Sequence, residues 1–442
     1  MVHMTLITDI LNAQNVIGRS LFLFGAGATK DAECLISSEM LDDIQKMELS
    51  SPEKEALDFL LSALHYHSSW KNIKERKKPN ERNGHQPNIE DLMLLIRRII
   101  HRDSYLPYPI TGSWADKINF LEIAWKDLNR TWTPQESKTL FDNLEEKLTE
   151  RLSKWLNMGA ENTDYLKPIS EYLKNTEDRS SILEFFTLNY DLVFEKHFNS
   201  SDETLLNTGF NNGFFDGFID NSTSSSFRIN YYKLHGSINW EKEETGKIKE
   251  SFYYKDENQV FNRNRSDSPE MSVEEFLSIP LNKAHIIFGQ GGKFLTVDPF
   301  ISLLYHFKQQ LSQKQIYFVI GYSFFDPYIN NMLLEGLSDD RINSRLMVVV
   351  NPQFSQEFLN TQERQSEDWE DILKNRFIDH VQNIQKSTYL SDLPNFNLLE
   401  VSPQKIKIIP KRTSEFFNEY FSGGKGLSAL FEELRTKEEN IF

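Results

Sequence analysis

Apolar residues recur along this chain in two rhythms, and the change from one to the other outlines an architecture. Leu21-Phe22-Leu23-Phe24 is an unbroken apolar run that stops at Gly25-Ala26-Gly27-Ala28-Thr29. Such a run, ended by a glycine turn, reads as a strand buried on both faces, as strands of parallel sheets are. Residues 4–18 suit a short helix leading into it, and a second helix is expected after Thr29, continuing toward Met47. From Ser51 to about Glu177 the spacing becomes helical: Leu57, Leu60, Leu61 and Leu64; Ile89, Leu92, Met93, Ile96 and Ile100; Leu140, Leu144, Leu148 and Leu152. Lys71 to Asn88, polar, basic and Pro-containing, reads as a loop between the first two groups.

Strand character returns at Ile182–Leu188 and Tyr231–Leu234, with an irregular Gly-, Asn- and Ser-rich stretch, Asn207–Ser226, between them. Residues 241–275 are polar, with Phe252-Tyr253-Tyr254 as a short strand. Two further buried strands are expected at His285–Phe288 and Ile316–Ile320, separated by a helix from Pro299 to Leu311, and another at Leu346–Val350. This alternation predicts an α/β protein with a Rossmann-like parallel sheet, helices on both faces and a large helical insertion. The expected division is residues 1–50 and 178–355 for the sheet domain, 51–177 for the helical insertion, and 356–442 for a C-terminal segment whose amphipathic stretch, Leu427–Leu434, suits an interface.

Composition narrows the functional classes. With 39% hydrophobic residues and 33 Phe, 442 residues can bury a sizeable core. The net charge of −16 argues against a general nucleic-acid-binding surface. One cysteine, Cys34, permits neither a disulfide nor a cysteine zinc cluster, which points to a reducing interior and predicts no metal. The N-terminus lacks a leader pattern and no eighteen apolar residues run together, so a soluble, cytoplasmic protein without membrane contact is expected.

Polar residues stand just past the strand ends, where open α/β sheets place ligands. Thr187-Leu188-Asn189-Tyr190-Asp191, Leu234-His235-Gly236-Ser237, Gly321-Tyr322-Ser323 and Asn351 each close a strand. Every one also has a structural reading: Asn189 and Asp191 as helix caps, His235 as a core imidazole, Gly321 as a turn. The turn at Gly25 is open in the same way, a phosphate cradle or a tight turn, since Lys30 stands where a third glycine would fall. Gly289-Gln290-Gly291-Gly292-Lys293 and Gly423-Gly424-Lys425 lack the spacing of an ATP phosphate loop.

Taken in order, these motifs resemble the sirtuin superfamily. Phe-Thr-Leu-Asn-Tyr-Asp (186–191), Lys-Leu-His-Gly-Ser-Ile-Asn-Trp (233–240) and Ile-Gly-Tyr-Ser-Phe-x-Asp (320–326), followed by Tyr328-Ile329-Asn330, look like its bacterial branch that hydrolyses NAD in anti-phage defence. The motifs span about residues 20–352. The chain departs from the deacylase sirtuins in lacking their four zinc cysteines and their acidic loop after the glycine turn, which is here Lys30-Asp31-Ala32-Glu33. The resemblance implies that Gly25, Ala26 and Gly27 face a pyrophosphate, with Thr29 adding a hydroxyl. It implies further that Asn189 and Asp191 hold the nicotinamide ribose and position a water, and that His235 acts as the base. Gly321 and Ser323 would contact the adenosine side and Asn351 its ribose. NAD is thus expected as substrate, with a homo-oligomer or a HerA-type hexameric ATPase as the regulating assembly. A non-catalytic sensor of NAD or ADP-ribose is the second reading. A protein deacylase is the third, set back by the missing zinc cysteines.

Overall fold

In the computed structural model, residues 17–74, 87–101, 109–128, 139–158, 162–175, 182–199, 206–211, 213–217, 228–242, 247–250, 298–338, 345–352 and 405–422 are described, with short strands between 252 and 286 and the isolated positions 375, 377, 378, 381 and 430. Residues 4–16 of the first expected helix, and all but Leu430 of the expected helix at 427–434, lie outside the described residues.

The strands are β1 (Ser20–Phe24), β2 (Leu183–Thr187), β3 (Leu206–Asn207), β4 (Phe210–Asn211), β5 (Phe214–Phe215), β6 (Ile229–Lys233), β7 (Gly236–Lys242), β8 (Ile248–Glu250), β9 (Phe252–Asp256), β10 (Gln259–Asn262), β11 (Met271–Ser272), β12 (Ala284–Ile286), β13 (Ile316–Ile320), β14 (Leu346–Val350) and β15 (Ile406–Ile409). Seven form one all-parallel sheet in the order β15-β14-β13-β1-β2-β6-β3. If β1, β2, β6, β13, β14 and β15 are numbered one to six, the order is 3-2-1-4-5-6, the doubly wound arrangement, with β3 added at an edge. β1 is central and its five residues are all buried.

Two compact units divide the chain. The described residues between 35 and 155 form a helical unit with α1 (Ser37–Ile44), α2 (Ser51–Lys74), α3 (Ile89–Ile100), α4 (Pro109–Leu128) and α5 (Leu140–Met158). Its core is built as the periodicity requires: Leu57, Leu60, Leu92, Met93, Ile96, Leu140, Leu144, Leu148 and Leu152 are buried. Glu53 supports the packing by accepting from Lys147 at 2.8 Å, and Asn88 caps α3 through the Asp91 amide at 3.0 Å. Helix α2 runs on to Lys74, four residues into the stretch read as a loop.

The other unit holds the sheets with α6 (Lys167–Asn175), α7 (Val193–Asn199), α8 (Phe300–Gln313), α9 (Pro327–Ser338) and α10 (Thr413–Tyr420). Alternation along β1 assigns its two faces. Phe22 and Phe24 pack with residues of α6, α7 and α10, whereas Leu21 and Leu23 pack with residues of α8 and α9. At roughly 1.5–3 kcal/mol for each fully buried large apolar side chain, these two layers supply the main drive for the fold.

Three expectations change. The helix after Thr29 is broken: Ala26–Ala32 is a 3-10 helix, Glu33 takes a left-handed φ of 66°, and α1 begins only at Ser37. The apolar run at His285–Phe288 does not join the parallel sheet; its described part, β12, pairs antiparallel with β7 in a five-stranded sheet. The chain turns at Leu234-His235 into Gly236, whose φ is +89°, so β7 leaves the parallel sheet and offers a fresh edge. The stretch expected to be irregular, Asn207–Ser226, takes part in three two-residue strands, Leu206–Asn207, Phe210–Asn211 and Phe214–Phe215. Ile406–Ile409 adds an edge strand beside β14 that the sequence pattern does not predict.

Candidate functional site

The polar residues of the motifs gather along the carboxyl edge of the parallel sheet. Hydrogen bonding continues one residue past the strand ends, from Leu234 N to Thr187 O (2.9 Å), Leu188 N to Phe24 O (2.9 Å), Gly25 N to Ile320 O (3.0 Å), Gly321 N to Val350 O (2.9 Å) and Asn351 N to Ile409 O (3.1 Å). The residues that follow are therefore presented in register. Thr187 pairs with Lys233 across β2 and β6, so Asn189 and His235 each stand two residues past a paired position on adjacent strands. Such strands lie about 4.8 Å apart.

At the switch point between β1 and β13, the two glycine turns close on each other. Gly27 N donates to Gly321 O at 2.8 Å. A Cβ on Gly25 would meet Tyr322 Cα at 2.6 Å, and one on Gly321, whose φ is +63°, would meet Ala28 N at 2.2 Å. These glycines are required by the approach of the chain to itself. The amides of Gly25 and Gly27 are spent on carbonyls of the β13 end, while Ala26 between them is exposed.

Thr29, Asn189 and Asp191 form one cluster. Asn189 Nδ2 donates to Thr29 Oγ1 at 3.2 Å, and Thr29 Oγ1 donates to Asp191 Oδ2 at 2.9 Å. All three residues are buried. Burial pushes the Asp191 carboxyl above its usual range, opposed by the Lys233 ammonium. Lys233 Nζ reaches Glu195 Oε1 at 2.7 Å, Ser237 Oγ at 2.8 Å and the Asp191 carbonyl. Burial raises Glu195 to about 7, with Lys233 again pulling it down. Cys34 lies beside this group, its thiol raised chiefly by burial, as suits an inert core sulfhydryl.

His235 belongs to a second cluster. Its Nε2 lies 2.9 Å from Asp326 Oδ2. Asp326 Oδ1 accepts from the Tyr328 and Ile329 amides at 2.9 and 3.3 Å, capping α9. Asn330 Nδ2 donates to Phe324 O at 2.7 Å, and Tyr322 OH donates to Asn330 Oδ1 at 2.9 Å. Phe324 is held at a left-handed φ of 60°, a costly conformation for a bulky side chain that this clamp maintains. Motif 320–330 is thus a rigid mount for one carboxylate. Asp326 was visible in the motif but was not among the expected site residues; its position before Pro327 reads as a cap, and it is one.

The expected residues therefore divide. Thr29, Asn189 and Asp191 touch, whereas His235 turns to Asp326; the ring of Tyr190, which lies between Asn189 and Asp191 in sequence, has its centroid 6.4 Å from that of His235. Asn351, also buried, donates to Tyr322 O at 3.3 Å and so braces the loop after β13. Ser323 sits half-buried in that loop. Among the described residues, no group of His, Cys, Asp and Glu has the arrangement to hold a metal ion, and no helix is long and apolar enough to cross a membrane.

A family model for a SIR2-like domain matches residues 183–380. The match begins at the first residue of β2 and takes in Asn189, His235, Asp326 and Asn351, leaving β1 and its glycine turn outside. No curated protein matches the chain.

Proposed function

We propose that this protein hydrolyses NAD+ to ADP-ribose and nicotinamide, with depletion of NAD+ during phage infection of a bacterium as its setting. The observation carrying this reading is the buried His235–Asp326 pair, beside Asn189 on the neighbouring strand end and within the SIR2-like stretch.

The chemistry needs little acid catalysis, because nicotinamide is a cationic leaving group. The C1′–N bond breaks with its electron pair departing on nicotinamide, and the oxygen of water bonds to C1′. The water proton must go to a base. With Nε2–H directed at Asp326, the basic nitrogen of a neutral His235 is Nδ1, and Asp326 stabilises the imidazolium that forms. Asn189 supplies an amide oxygen to offset positive charge on the ribosyl group in the transition state. Gly25, Ala26 and Gly27 would border the pyrophosphate, with Ala26, an exposed residue at the head of its 3-10 helix, offering its amide there. Gly321, Ser323 and Asn351 would contact the adenosine side. Cytoplasmic activity of this kind requires restraint, for which a homo-oligomer or a HerA-type ATPase is the proposed assembly.

A second reading, a sensor that binds NAD+ or ADP-ribose without turnover, is favoured by one observation: Asn189 and His235 are 7% and 4% exposed and already engaged with protein partners. Incubation with etheno-NAD+, alone and with a HerA-type ATPase, separates the two. A rise in fluorescence from cleavage supports the hydrolase, and tight binding with no cleavage under either condition supports the sensor.

A further inference from the structure

The hydroxyl of Thr29 carries one proton and two lone pairs. It lies 2.9 Å from Asp191 Oδ2 and 3.2 Å from the Asn189 side-chain amide, with a longer 3.4 Å approach to Ala26 O. Once the proton is directed to the Asp191 carboxylate, Thr29 Oγ1 is only an acceptor toward Asn189. The amide must then turn its nitrogen to Thr29 and its oxygen away. Asp191 is fixed in turn: its Oδ1 accepts from the Val193 amide at 3.2 Å, and its carbonyl accepts from Lys233, which is anchored on Glu195 and Ser237. Each Asp191 carboxylate oxygen thus accepts from a protein donor, Oδ2 from Thr29 and Oδ1 from Val193, which holds the carboxylate against Thr29 and so acts on Asn189 through it.

We propose that Thr29 and Asp191 are positioning residues that select one of the two flip states of the Asn189 amide, presenting its Oδ1 and not its NH2 group to the reacting sugar. The inference rests on the hydrolase reading for its consequence in catalysis, but its structural content is independent of it. It also gives Thr29 a part other than a pyrophosphate contact. The mechanism is directional: a residue at position 191 able to donate a hydrogen bond, or one at 29 without a hydroxyl, removes the selection.

Thr29→Val keeps the shape and removes the hydroxyl, whereas Thr29→Ser keeps the hydroxyl. For NAD+ hydrolysis, Thr29→Val should lower kcat by about 10- to 100-fold, the size expected when a catalytic dipole is misaligned. KM should stay within about twofold, because the lost interaction is made in the transition state. Thr29→Ser should recover most of kcat, and melting temperatures of both variants will separate this from a loss of fold. The second readout needs no activity. With asparagine 15N-labelled, the Asn189 side-chain amide, assigned by its disappearance in Asn189→Ala, should show one exchange-protected proton in the parent protein and in Thr29→Ser but not in Thr29→Val. An unchanged kcat in Thr29→Val, equal losses in the Val and Ser variants, or protection that survives Thr29→Val would each overturn the proposal. If the parent protein cleaves no NAD+, the hydrolase reading falls, while amide exchange still decides the positioning role.

Discussion

His235 Nε2 and Asp326 Oδ2 lie 2.9 Å apart with both side chains about 5% exposed, and the other oxygen of the same carboxylate caps the helix that follows. One aspartate thus joins the end of β6 to the start of α9 and fixes the imidazole tautomer. Asp326→Asn separates these duties. The asparagine oxygen can still cap α9, but its NH2 facing His235 forces Nε2 to accept and moves the proton to Nδ1. Hydrolysis should fall by about 100-fold or more with the melting temperature nearly unchanged. A variant with full activity would show that the pair serves the fold alone.

The Glu195 carboxyl gives a pH signature. It is raised from 4.5 to about 7, mainly by burial, so between those values the folded protein holds its proton more firmly than the unfolded chain does. Its contribution to stability is complete below about 4.5 and is lost as pH rises through about 7. Glu195→Gln removes this dependence. The stability of the variant relative to the parent should therefore increase from pH 5 to pH 7 and level off above, as measured by urea unfolding. A difference independent of pH would contradict the assignment.

Glycines 321 and 217 both have positive φ, but their surroundings differ. A Cβ at Gly321 would meet Ala28 N at 2.2 Å and Gly27 C at 2.4 Å, whereas one at Gly217 would meet nothing within 4 Å. Gly217→Ala should cost about 1–2 kcal/mol from backbone strain alone. Gly321→Ala adds a collision with backbone and should cost about 3 kcal/mol or more, seen in denaturant unfolding. Equal costs would mean that the turns after β1 and β13 are not in the contact described.

Much of this arrangement was legible in the sequence, for identifiable reasons. Leu21–Phe24, Ile316–Ile320 and Leu346–Val350 are strands buried on both faces, and a strand of that kind leaves no polar interruption to misread. The same property misled at His285: an apolar run indicates burial but not direction, and the turn at Leu234-His235-Gly236 had already created an antiparallel edge. Ile406-Lys407-Ile408-Ile409 escaped notice because four residues with a lysine among them make an edge strand that resembles a loop. Asn189 and His235 could be found from their places after strands. Thr29 and Asp191 could be named from their motifs as well, but their contact could not: they are 162 residues apart, and only the adjacency of β1 and β2 brings them together. Asp326, the last residue of the 320–326 motif, carries no role in the sequence because its partner His235 lies far earlier in the chain, while its other oxygen only caps α9.

The account is tested most directly by release of nicotinamide from NAD+, followed by chromatography, for the parent protein, His235→Ala and Asn189→Ala under identical conditions, with and without a HerA-type ATPase. The expected result is turnover by the parent protein that falls by roughly two to four orders of magnitude in each variant while both variants remain folded. Undiminished turnover in either variant, or binding of NAD+ by the parent protein with no nicotinamide released under either condition, contradicts it.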